Sequence, residues 1–140
     1  MSPTLNPGSI SGSESKQCDW ILVEKLSYKL WHSYQRGDVA TLWCPENPRI
    51  QITKRLVAIE GDTVWDDAKG RPEKLLPGRC WIEGDNARLS GDSRNMFGPV
   101  HMGLLQGRAV AVVWPLWRCG WLERVEKKGR IVSRAPPTDS

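Results

Sequence analysis

The sequence predicts a single, mainly β domain of coiled, barrel-like sheets, and three observations carry that prediction. Apolar and polar residues alternate with strand period over long runs, most cleanly in RIQITKRLVAIE, Arg49 to Glu60. Gly-Asp recurs at Gly37-Asp38, Gly61-Asp62, Gly84-Asp85 and Gly91-Asp92, each time at the edge of such a run, where a turn is needed. A chain of 140 residues has room for one compact core and too little for two ordinary ones.

Taken in order, MSPTLNPG (Met1–Gly8) has turn chemistry, with two prolines fixing φ, and SISGSES (Ser9–Ser15) is a polar loop. DWILVEKL (Asp19–Leu26) reads as the first strand and DVATLWC (Asp38–Cys44) as the second. The alternating run from Arg49 continues through a Gly-Asp turn to Trp65. CWIEGD (Cys80–Asp85) and GRAVAVVW (Gly107–Trp114) complete the set. The domain is expected to span residues 1–122. The stretch 123–140 (ERVEKKGRIVSRAPPTDS) is charged, contains proline and is expected to be a loose tail.

Composition removes several function classes. Lys and Arg exceed Asp and Glu by 20 to 16, but the signs are interspersed, so no nucleic-acid partner is expected. The four cysteines (Cys18, Cys44, Cys80, Cys119) form no Cys-x-x-Cys pair and there are two histidines, so neither a metal site nor a cofactor is expected. Buried thiols or a disulfide both remain open. No apolar run approaches the ~18 residues of a membrane span, and the N-terminus has no secretory pattern. Eight tryptophans is a high count for this length, and Trp114, Trp117 and Trp121 crowd into WPLWRCGW with Arg118 and Arg124 nearby. Core packing and an amphipathic docking surface are both compatible with them.

One residue breaks the alternation. Lys54 shares parity with Ile50, Ile52, Leu56 and Ala58, so a regular strand turns its amine toward the apolar side while Arg55 points to water. Desolvation favours the neutral amine, which is what a general base needs. The ordinary alternative is an edge lysine whose stem snorkels to solvent. A second concentration of polar groups lies in EGDNARLSGDSRNMFGPV, Glu83 to Val100. Either it is a solvated turn with a surface ion pair, or Asp92 and Arg94 brace a loop whose Ser90 hydroxyl orients a catalytic amine.

These stretches together resemble the type I signal peptidases. RGDVATL (Arg36–Leu42), KRLVAIEGDTV (Lys54–Val64) and GDNARLSGDSR (Gly84–Arg94), preceded by MSPTLNP, resemble that family's sequence boxes in the family's order. Asn6-Pro7, FGPVHMGLLQGR and VVWPLWR narrow the resemblance to the second-subunit branch of the mitochondrial inner membrane peptidases.

The resemblance implies a serine endopeptidase that removes N-terminal sorting presequences through a Ser-Lys dyad. Lys54 would be the general base, Ser90 would orient its amine, and Asp92 with Arg94 would brace the loop. Met1 and Pro3 would line the substrate site. The nucleophilic serine falls at the position before Met1, and Ser2, two residues on, would sit ~6.6 Å too far away to replace it. The 140 residues alone are therefore expected to be inactive, and a non-catalytic scaffold subunit is the alternative. The resemblance also implies location on the intermembrane-space side of the mitochondrial inner membrane. Its implied partners are precursor polypeptides, a first peptidase subunit and the membrane surface. Asn95 and Met96 stand where the family pattern has one residue, and the Ser9–Lys16 loop is longer than the pattern's.

Overall fold

The structure, a computed structural model, describes residues 20–26, 34–85, 93–114, 116–127 and 129–136. Ten strands form among them: β1 (Trp20–Glu24), β2 (Val39–Trp43), β3 (Gln51–Ala58), β4 (Thr63–Asp66), β5 (Arg71–Lys74), β6 (Arg79–Glu83), β7 (Val100–His101), β8 (Leu105–Trp114), β9 (Gly120–Trp121) and β10 (Ile131–Ser133). The larger sheet runs β1-β8-β2-β3-β6-β7, with β9 beside β8, and the smaller runs β10-β4-β5. Every pairing is antiparallel. Among the described residues the larger sheet stays open and does not close into a barrel. Short helical turns (Ser93–Phe97, Met102–Leu104, Leu116–Arg118) complete a mainly β domain, as the alternating runs predict.

Two buried clusters hold it together. One contains Ala40, Leu42, Leu56, Cys80, Ile82, Val100 and Leu105. The other contains Val57, Ala58, Val64, Leu75 and Trp81. Strand β3 feeds both, because Leu56 enters the first cluster and Val57 the second. Its second half is therefore covered on both faces, which a single-faced reading of the alternation does not anticipate. Close packing also decides one glycine: a Cβ on Gly107 would stand 2.7 Å from the Glu24 carbonyl oxygen and 2.7 Å from Val23 Cγ1. Only glycine lets β1 lie this close to β8.

Arg55 corrects the expectation that it points to water. It is 4% exposed. Its guanidinium holds Asp85 bidentately (Nε to Oδ1 2.9 Å, Nη2 to Oδ2 3.0 Å) and donates to the carbonyls of Gly37 at 2.8 Å and Glu123 at 3.1 Å. Burial of this charge is compatible with the fold because each guanidinium nitrogen meets an acceptor.

The charged segment after Glu123 also differs from expectation. Rather than hanging loose through residues 123–136, it returns along the domain and adds β10 to β4, with Ile131 opposite Val64. Arg124 Nε lies 2.7 Å from Asp38 Oδ1, the Val125 amide donates to Gly37 O at 3.3 Å, and the Ala135 amide donates to Asp62 Oδ1 at 2.7 Å. Its charge reads as disorder in sequence, yet several of these charges are matched to carboxylates that the domain buries. Asp62, fully buried, also accepts both Arg36 Nε (2.7 Å) and Nη2 (2.6 Å). Burial pushes the Asp62 carboxyl upward, but these hydrogen bonds and the nearby guanidinium outweigh it and hold the group below the usual carboxylate range.

Trp114, Trp117 and Trp121 are 49%, 74% and 80% exposed, which excludes core packing for this trio. Trp20, Leu22, Val113 and Leu116 are exposed on the same elements, β1, the end of β8 and the turn after it. Trp20 lies opposite Trp114, and Trp121 opposite Ala111.

Candidate active site

Lys54 sits in the middle of β3, where the ladder to β2 runs without a shift from Val39–Arg55 to Trp43–Gln51. Unbroken register preserves parity, so Lys54 occupies the face of Ile52 and Leu56, directly opposite Ala40. It is half-buried. Ala40 presents only a methyl group, and its other ladder neighbour is Arg108 of β8, itself opposite Glu24. Two strand spacings separate Lys54 from Arg108, about 10 Å along the sheet. Half-buried Tyr34, Ile52, Phe97, Met102 and Leu104 pack against the cluster that this face contributes to.

The loop expected to complement Lys54 begins at the end of β6. Arg94 Nη2 donates to the Gly84 carbonyl at 3.3 Å, and its Nε lies 3.9 Å from Glu83 Oε2. Ser93 Oγ accepts the Ile82 amide at 3.0 Å, tying the far side of the loop back to β6. Arg94 thus ties the Ser93–Phe97 turn to the end of β6. Ser90, Asp92, Met1 and Pro3 lie outside the described residues.

Sequence reasoning missed the structural roles of Arg55, Glu83, Lys127 and Arg130, and read Asp85 only as part of a turn. Glu83 is 1% exposed, accepts the Trp81 indole N–H at 2.9 Å, and is approached by Arg130 Nε at 2.8 Å and Lys127 Nζ at 3.3 Å. The available signal was a carboxylate at the end of the apolar run Cys80–Ile82 that strand parity buries.

Comparison with known proteins gives this arrangement a lineage. Residues 1–71, which include all of β2 and β3, match the model of the family described as signal peptidase, peptidase S26. The chain belongs to the signal peptidase S26 family. It is 40% identical over 116 residues to mitochondrial inner membrane protease subunit 2 of Danio rerio, covering 82% of this chain and 60% of that protein. Against the subunit 2 of Mus musculus it is 42% identical over 126 residues, covering 89% and 68%. Mitochondrial inner membrane protease subunit 1 of Schizosaccharomyces pombe is 36% identical over 117 residues, covering 82% and 68%. The chain thus spans roughly three-fifths to two-thirds of the length of these relatives.

Among the described thiols, chemistry is unevenly distributed. Burial pushes the Cys80 thiol up to about 12, whereas Cys119 is exposed. The thiolate is the reactive form, so a maleimide at pH 7.5 is expected to label Cys119 in the folded protein and Cys80 only after denaturation. Peptide mass mapping checks this; native labelling of Cys80 would contradict the packing of the first cluster.

Proposed function

We propose that this protein is a serine endopeptidase subunit that removes N-terminal sorting presequences, with Lys54 as the general base of a Ser-Lys dyad. The observation that carries the reading is the placement of Lys54: on the face of Ile52 and Leu56, opposite Ala40, on a strand inside the family match. A general base of a Ser-Lys dyad must sit on the face that receives the substrate, and strand parity gives Lys54 that place in this reading.

In this reading the serine that the family pattern places before Met1 attacks the scissile carbonyl carbon, and its proton passes to the Lys54 amine. Collapse of the tetrahedral intermediate breaks the peptide bond, with the proton returned from Lys54 to the departing amine. Water then hydrolyses the acyl-enzyme by the same proton route. Ser90 orients the amine, Asp92 and Arg94 hold the loop, and the backbone of Met1 and Pro3 lies along the substrate. The relatives' names support a place at the mitochondrial inner membrane beside a first peptidase subunit, and the family resemblance assigns the site to the intermembrane-space side. The test is incubation of the full-length protein, with its partner subunit, with a presequence-bearing precursor. Cleavage at a single site is expected, and no cleavage under any pairing would favour the scaffold alternative.

The tryptophan patch is assigned to the membrane surface, since indoles with adjacent cations suit the headgroup layer. Replacing Trp117 and Trp121 by serine is expected to weaken sedimentation with cardiolipin-containing vesicles at least about tenfold, given the area of two indoles. Unchanged sedimentation would remove the membrane from the assignment.

A further inference from the structure

The C-terminal return segment docks on three of the four Gly-Asp turns, and this carries an inference that rests on the peptidase reading above. At the first turn, Gly37 has φ +87°, and a Cβ there would stand 2.9 Å from the Val125 backbone; Asp38 receives Arg124. At the second, Gly61 has φ +84°, and a Cβ would stand 2.8 Å from the Ala135 side chain; Asp62 receives the Ala135 amide. At the third, Lys127 Nζ donates to Gly84 O at 3.0 Å and lies 3.3 Å from Glu83 Oε2, while Arg130 Nε lies 2.8 Å from Glu83 Oε1. Glycine at the first two turns thus serves two ends, a left-handed turn and a seat for the returning chain.

The third contact bears on the site. Glu83 is the ladder partner of Arg55, the residue after Lys54, and Arg55 also donates to the Glu123 carbonyl. Lys127 and Arg130 therefore hold the end of β6 against β3 one residue from the proposed base. Lys127 also holds the Gly84 carbonyl, which Arg94 reaches as well. We infer that Lys127 and Arg130 are positioning residues for catalysis, acting through Glu83 to fix the β3–β6 register beside Lys54. Their side chains are 28% and 20% exposed against 2% for that of Glu83, so two partly accessible cations govern a buried carboxylate. A displacement near 1 Å at a reacting group can cost about a hundredfold in rate.

The experiment compares the full-length protein, with its partner subunit, with its Lys127→Gln/Arg130→Gln and Lys127→Arg/Arg130→Lys forms. Lys54→Ala is the control. Glutamine keeps the stem and removes the charge. A kcat reduced about ten- to a hundredfold is expected, with KM within about twofold, because orientation rather than substrate contact is lost. Amide exchange should quicken at residues 54–56 and 82–85 and not in β1, and the charge-preserving pair should restore most of the rate. Unchanged kcat in the glutamine form overturns the inference, as do kcat and KM changing together or failure of the charge-preserving rescue. If the double variant does not fold, Lys127→Gln alone is read by the same criteria, and its failure to fold would mark a purely structural role and also overturn the inference. Activity surviving in Lys54→Ala would defeat the assignment of Lys54 as the base, and absence of cleavage by the unsubstituted protein would defeat the peptidase reading itself. Activity lost there but untouched by the glutamine form would defeat the positioning role alone.

Discussion

Lys54→Ala in the full-length protein is expected to lower kcat by about a hundred- to ten-thousandfold, the usual contribution of a general base, with KM little changed. Lys54→Arg should be as damaging despite its similar length, because a guanidinium stays protonated and accepts nothing. The site predicts little structural cost for either change. Lys54 is half-buried opposite a methyl side chain, and the ladder through Thr53–Thr41 and Arg55–Val39 is made by backbone groups that substitution leaves in place. Turnover of a presequence peptide, measured beside thermal melting, checks this. An active Lys54→Arg form would show that another group takes the proton.

Its neighbour should behave in the opposite way. Arg55→Ala is expected to destabilise the domain by about 3–5 kcal/mol, because Asp85 is left without its fork and the Gly37 and Glu123 carbonyls lose a buried donor. Against a total of roughly 5–15 kcal/mol for a domain, this is a large share. Arg55→Lys should recover only part, since an ammonium cannot reproduce the bidentate geometry or reach both carbonyls. Urea unfolding gives the comparison through its midpoint. A loss near the ~1 kcal/mol of an exposed pair would mean that the guanidinium is solvated, as alternation alone leads one to expect.

The contrast between these adjacent residues marks how far the sequence is legible. Alternation located β1, β2, β3, β4, β6 and β8 and the face that Lys54 occupies, because the β2–β3 ladder is regular and strand parity needs nothing else. It failed at Arg55 because parity says which face a residue occupies and not what covers that face. The cover comes from β4, from β10 and from residues beyond Glu123, which are remote in sequence and individually polar. Strand β5 (RPEK) has no apolar alternation, and is a strand because its backbone pairs with β4 from Thr63–Lys74 to Asp66–Arg71. The contacts of Arg94 with Glu83 and Gly84 were not legible, because they required the end of β6 to be placed first. Ser90, Asp92, Met1 and Pro3 remain assignments by family pattern.

The returning segment also sets an order of events when the chain folds. Its partners precede it by long intervals: 86 residues separate Arg124 from Asp38, 73 separate Ala135 from Asp62, and 68 separate Glu123 from Arg55. Closing such separations is slow compared with forming the hairpins β2–β3 and β4–β5, which are local. Until residues 123–136 have emerged from the ribosome or an import channel, Glu83 and Asp62 lack partners they have in the native state, and the two-sided burial of β3 is incomplete. A chain assembled this way completes the surroundings of the proposed base last, so under the peptidase reading a half-made chain would be poorly equipped to cut its neighbours.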